Sequence, residues 1–137
     1  MFRSVFITLL LLPFSTFAEL EFESARIKHL PASVPVRAGY VSFHNPGDSA
    51  VTIVRAHSND FGHVEFHESL MVDGMMQMKP VDSLTIPAGG NVHLKPGGLH
   101  MMLMQPAKPT TPGETYDLQL EFEDGSRQQL TLTVTEE

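Results

Sequence analysis

Residues 63–81 read HVEFHESLMVDGMMQMKPV. Two strand-like runs, His63–Met71 and Met75–Val81, flank the dipeptide Asp73-Gly74. Asp-Gly in that setting is the strongest short hairpin signal, because a type I′ turn demands positive φ at both central residues. With Asp73 and Gly74 in those places, Val72 faces Met75, Met71 faces Met76 and Ser69 faces Met78. His67 then lies on the same face as Ser69, diagonal to Met78, roughly 7–8 Å away between backbones.

The same rhythm continues outward in both directions. Candidate strands are Leu20–Ile27, Gly39–His44, Ala50–His57, Asn91–Leu94, Leu99–Gln105, Thr115–Phe122 and Gln128–Thr135. Turn formers separate them: Asn45-Pro46-Gly47-Asp48, Pro87-Ala88-Gly89-Gly90, Pro96-Gly97-Gly98, the stretch from Pro106 to Gly113, and Asp124-Gly125. No helix-period pattern of useful length interrupts this series, and no internal repeat appears. Many short strands with turns about every ten residues predict an all-β fold, an antiparallel sandwich or barrel. Leu118, Leu120 and Phe122 alternate onto one face, as do Leu130, Leu132 and Val134, and they are expected to be core.

Composition narrows the function. A chain of 137 residues with 42% hydrophobic content suits one small domain. Nine basic residues against 16 acidic ones give a net charge of −7, which argues against a nucleic-acid partner. Cysteine is absent, which excludes disulfides, thiolate zinc sites, iron–sulfur clusters, cysteine nucleophiles and a His₂Cys blue-copper centre. Eight Met stand beside seven His.

The first 18 residues, MFRSVFITLLLLPFSTFA, have the form of a secretory signal peptide: a basic Arg3, an apolar run from Val5 to Leu12, and a small-x-small end at Thr16-Phe17-Ala18. The apolar run is far shorter than the roughly 20 residues of a membrane span, and Pro13 ends it. Cleavage after Ala18 is expected, leaving residues 19–137 as a single domain with a net charge of −8 and no membrane span. No cysteine follows, so a lipid anchor is not expected. In a Gram-negative host the compartment is the periplasm.

A second segment, Gly98-Leu99-His100-Met101-Met102-Leu103-Met104, puts His100, Met102 and Met104 on one strand face, and Met101 and Leu103 on the other. Two segments thus each offer an imidazole and a thioether on one face, and strand pairing could bring them together. Thioether sulfur is soft and neutral; it suits Cu(I) or Ag(I) and binds zinc, magnesium or calcium poorly. A His₂Met₂ set adds no charge and therefore favours a monovalent soft ion. Methionine is equally a common filler of cores, so packing is the competing reading of the same residues.

The spacing of His67, Met78, His100 and Met102, H-x10-M-x21-H-x-M, resembles the signature of the periplasmic copper chaperone family PCu(A)C. The surroundings agree: Ala38-Gly39-Tyr40, Asn45-Pro46-Gly47, His67-Glu68, Ile86-Pro87-Ala88-Gly89-Gly90, Leu94-Lys95-Pro96-Gly97-Gly98 and Phe122-Glu123-Asp124-Gly125. The likeness covers nearly all of residues 19–137. It implies a cupredoxin-like Greek-key β-sandwich that binds one Cu(I) near its surface through His67, Met78, His100 and Met102. It further implies a non-enzymatic carrier that delivers copper to the binuclear site of a cytochrome c oxidase subunit II type acceptor, alongside a Sco-type protein, and a monomer is expected. Some members carry a His/Met-rich C-terminal tail that adds Cu(II) capacity. This chain ends Thr133-Val134-Thr135-Glu136-Glu137, so Cu(II) binding stays open.

Of the remaining residues, Met71 and Met76 are expected to shield or pack rather than coordinate, and Met101 to be core. His63 and His93 are weaker candidates for metal contact. His29, His44 and His57 are expected at the surface, Glu65 and Glu68 as solvated strand residues, with Glu68 on the face opposite His67. Three other readings compete with the carrier: a copper or silver sink for metal tolerance, a secreted β-sandwich interaction module, and, weakest, a copper oxidase.

Overall fold

A computed structural model describes residues 19–136; the expected signal peptide, residues 1–18, and Glu137 lie outside the described residues. Ten strands follow one another: β1 (Glu21–Lys28), β2 (Val36–His44), β3 (Val51–His57), β4 (Phe61–Val72), β5 (Met75–Val81), β6 (Leu84–Ile86), β7 (Asn91–Leu94), β8 (Leu99–Pro106), β9 (Thr115–Phe122) and β10 (Arg127–Thr135). The fold is all-β and cupredoxin-like, as the sequence predicts. Among the described residues no helix is long and apolar enough to cross a membrane.

The strands hydrogen-bond in the order β5-β4-β8-β2-β1-β10-β9-β3-β6, with β7 also on β2. The two halves of this path share one cluster of buried side chains, including Phe43, Met101 and Leu103 from one and Ile53, Leu118 and Leu132 from the other. β1 joins the halves. Its register on β2 shifts between Glu23 and Arg26, where Ser24 takes φ 55°, and beyond that bulge it pairs with β10. A bulge of this kind bends a strand and lets it pass from one layer to the next.

Two features differ from the sequence reading. The β1–β10 pair is parallel within an otherwise antiparallel framework. Parallel neighbours need a long connection, and here the whole domain lies between them. The three-residue β6, paired with β3, was not expected, because three residues are too few to show an alternating pattern.

The sheet β5-β4-β8-β2 positions the site. Its inner face carries Phe66, Met101, Leu103, Val41 and Phe43 into the core. Gly39 sits there too, and a Cβ at this position would lie 3.0 Å from Leu103 and 3.2 Å from Met101, so two core side chains occupy the room a larger residue would need. The outer face is partly roofed by the β1–β2 connection. Arg37, fully buried, fastens that roof: its Nη1 donates to the carbonyls of Val34 (2.6 Å) and Val36 (3.0 Å), and its Nε donates to Thr110 Oγ1 (2.8 Å).

Candidate metal centre

The hairpin follows the register read from the sequence. Val72 pairs with Met75, Met71 with Met76 and Ser69 with Met78. Asp73 and Gly74 take φ 52° and 77°, the positive values that a type I′ turn requires. On the other side of β4, His67 is directly opposite His100 and Glu65 opposite Met102. Strand alternation therefore gathers His67, Met78, His100 and Met102 on one outer face. Met78, His100 and Met102 line a groove of about 340 Å³ whose far wall is formed by Leu30, Val34 and Tyr40. The rings of His67 and His100 lie 6.0 Å apart, inclined at 41°.

Burial grades across this group. His100 is 4% exposed, the His67 side chain 12%, and Met78 57%. Hydrogen bonds assign the imidazole tautomers. His100 Nδ1 donates to the carbonyl of Gly98 at 2.9 Å, which leaves Nε2 to carry the lone pair. His67 Nε2 donates to Glu65 Oε2 at 2.6 Å, which leaves Nδ1 with the lone pair. Those two nitrogens, His67 Nδ1 and His100 Nε2, are buried and have no hydrogen-bond partner. Buried polar atoms are nearly always paired, so two orphans on adjacent strands fit metal ligands. A ligating imidazole also commonly donates its other N–H to a carboxylate or backbone carbonyl, and both rings do so here.

Glu65 is the residue that sequence reasoning undervalued. Its carboxylate accepts from His67 on one oxygen and from His63 Nε2 (2.8 Å) on the other. The hydrogen bond from His67, then that from His63, holds the Glu65 carboxyl below its ordinary value. The signal was present as His63-x-Glu65-x-His67, three polar residues at strand spacing on one face.

The other candidates disperse. Met101 is fully buried in the core, as expected, and Glu68 pairs with Leu99 on the face opposite His67. His93 bonds Ser42 and His44 bonds Asn91, on the outer face away from β4. His29 is half-buried rather than on the surface, with Nδ1 enclosed, because its backbone N–H ties it to Thr135. Met71 and Met76 are 65% and 57% exposed, so of the shielding or packing expected for them the packing is not seen; their stretch of the hairpin runs past the end of β8. Among the described residues no group of three His, Asp or Glu is arranged to hold a metal ion.

Fold and site together define a small cupredoxin-like domain with an imidazole–thioether cluster on one outer sheet face. The chain belongs to the LpqE-like family, whose description, "Putative lipoprotein LpqE-like", matches residues 20–134. It is 33% identical over 98 residues to the protein named "Putative lipoprotein Lxx21020" of Leifsonia xyli subsp. xyli, a match that covers 71% of this chain and 59% of that relative. Among solved structures, Cu(I)-bound DR1885 of Deinococcus radiodurans is similar at 31% identity and a TM-score of 0.67, over 82% of this chain and 76% of that one. The copper-bound PCuAC domain of PmoF2 shares the fold at 20% identity and a TM-score of 0.70, over 87% and 95% of the two chains.

Proposed function

We propose that this chain is an exported copper chaperone that binds one Cu(I) through His67, Met78, His100 and Met102 and releases it by ligand exchange. The observation that carries the reading is the pair of buried, unpartnered imidazole nitrogens, each on a ring whose second nitrogen is already committed. The donor chemistry selects the cargo. Two neutral imidazoles and two thioethers suit a soft monovalent ion and offer a divalent hard ion neither charge nor oxygen. The likeness to Cu(I)-bound DR1885 supports the same choice.

The exposure of Met78 favours a carrier over a sink. A thioether 57% open to solvent can leave the ion while the two imidazoles still hold it, and a partner's ligand can take the freed position. The chain's own residues therefore orient, shield and let go of the ion; no bond-making step is needed. By resemblance, the recipient is the copper site of cytochrome c oxidase, with residues 1–18 directing export to the periplasm.

X-ray absorption of the anaerobically Cu(I)-loaded protein tests the ligand set directly and is expected to count two nitrogen and two sulfur neighbours. His100→Ala should lose most of the Cu(I) affinity while keeping the fold. Binding that is indifferent to His100→Ala, and to Met78→Leu with Met102→Leu, would remove the centre from this face. Copper transfer to a soluble oxidase subunit II fragment then separates delivery from storage.

A further inference from the structure

The β4–β5 hairpin runs on past β8. The β4–β8 register ends at Glu68 opposite Leu99, and Ser69 N–H makes one last bond to the Gly98 carbonyl at 3.2 Å. From there to the turn, among the described residues, the two hairpin strands pair only with each other. This free ladder carries three thioethers on the same face as His67: Met71, its direct partner Met76, and Met78 two residues further along β5. Direct cross-strand neighbours have Cβ atoms about 4.5–5.5 Å apart and diagonal ones about 7–8 Å. Methionine, unbranched and with three rotatable bonds, can close both gaps onto one ion.

Packing does not account for these side chains. Met71, Met76 and Met78 are each more than half exposed, Met71 and Met76 on the stretch of ladder beyond the end of β8 and Met78 in the groove it lines with His100 and Met102. Apolar residues so placed cost solubility and gain no burial. We propose that Met71, Met76 and Met78 form an outer, all-thioether site for a monovalent soft cation, Cu(I) or Ag(I), that adjoins the inner cluster and shares Met78 with it. Lacking an imidazole, the outer site is weaker than the inner one and insensitive to pH, since thioethers have no proton to lose. An ion held there reaches His67, His100 and Met102 by exchanging Met71 and Met76 for them one at a time, with Met78 bound throughout. That passage rests on the reading of the inner cluster as a metal centre, whereas the capacity of the outer set does not.

Ag(I), which needs no reductant, is the probe. Titration into the full domain carrying ¹³C-labelled methionine methyls is expected to shift Met78 and Met102 with the first equivalent, and Met71 and Met76 with the second, which those two facing thioethers hold while Met78 stays on the first ion. In Met71→Leu/Met76→Leu the first step should persist and the second equivalent should be lost. Met71→Leu alone, should the double variant fold poorly, is expected to weaken the second step. Methyls of Met71 and Met76 that never move, or a second equivalent that survives the double substitution, overturn the proposal. Shifts at Met71 and Met76 without any at Met102 count against the inner centre and uphold the outer one.

Discussion

Glu65 fixes two imidazoles with one carboxylate, and its consequences can be followed atom by atom. By accepting from His67 Nε2 it keeps the lone pair on Nδ1, the nitrogen that is buried without a partner. Glu65→Gln weakens this preference, because an amide offers one acceptor oxygen and no charge. Loss of such an outer partner typically costs 10- to 100-fold in metal affinity, so Cu(I) affinity should fall by about that range. The thermal midpoint should barely move, since the side chain is partly solvated. Competition against a Cu(I) chelator measures the first effect, and imidazole nitrogen shifts report whether His67 still holds one tautomer. If neither changes, the contact is incidental. The depressed Glu65 carboxyl also has a pH signature. Its contribution to the metal-free fold is complete above its ordinary value of 4.5 and is lost as pH falls through its lower folded value. Alternation told which face Met71 and Met76 occupy, but not whether anything covers that face; coverage depends on how far the β1–β2 connection reaches over the sheet, and no local pattern records that.

At the level of elements, the hairpin was the most legible part of the chain. Asp73-Gly74 declares its own backbone geometry, and one turn type then fixes every pair down to Ser69 and Met78. The apposition of His67 with His100 was far less legible. The two residues belong to strands separated by β5, β6 and β7, and their register is set by the packing of the whole sheet. Only the spacing likeness to a known family anticipated that they would meet. Substituting Gly74, held at φ 77°, by Val forces a branched side chain into left-handed backbone at about 1–2 kcal/mol. Because the outer ladder stands apart from β8, the damage should stay local. Amide exchange is expected to quicken from Met71 to Met76 while Leu118 and Leu130 remain protected. Uniform acceleration along the chain would mean that the hairpin is integral to the core.

For the molecule as a whole, the core and the proposed metal centre occupy opposite faces of the sheet β5-β4-β8-β2. The leucine stripes of β9 and β10 were readable from their period, and they are indeed buried. The parallel pairing of β1 with β10 was not, because nothing in either strand specifies a neighbour at the other end of the chain. Leu118→Ala removes a fully buried side chain and should cost about 2–5 kcal/mol. Denaturant unfolding is expected to record that loss, with one Cu(I) still bound by the folded fraction. A variant that folds yet has lost the ion would place core and centre in one cooperative unit. Tyr40, in the wall of the donor groove, has one more use. The chain has two tyrosines and no tryptophan, and the second, Tyr116, is packed in the core against Phe61. Both phenols emit in one band, so a change in tyrosine emission on Cu(I) addition is expected to come from Tyr40, over a constant background from Tyr116.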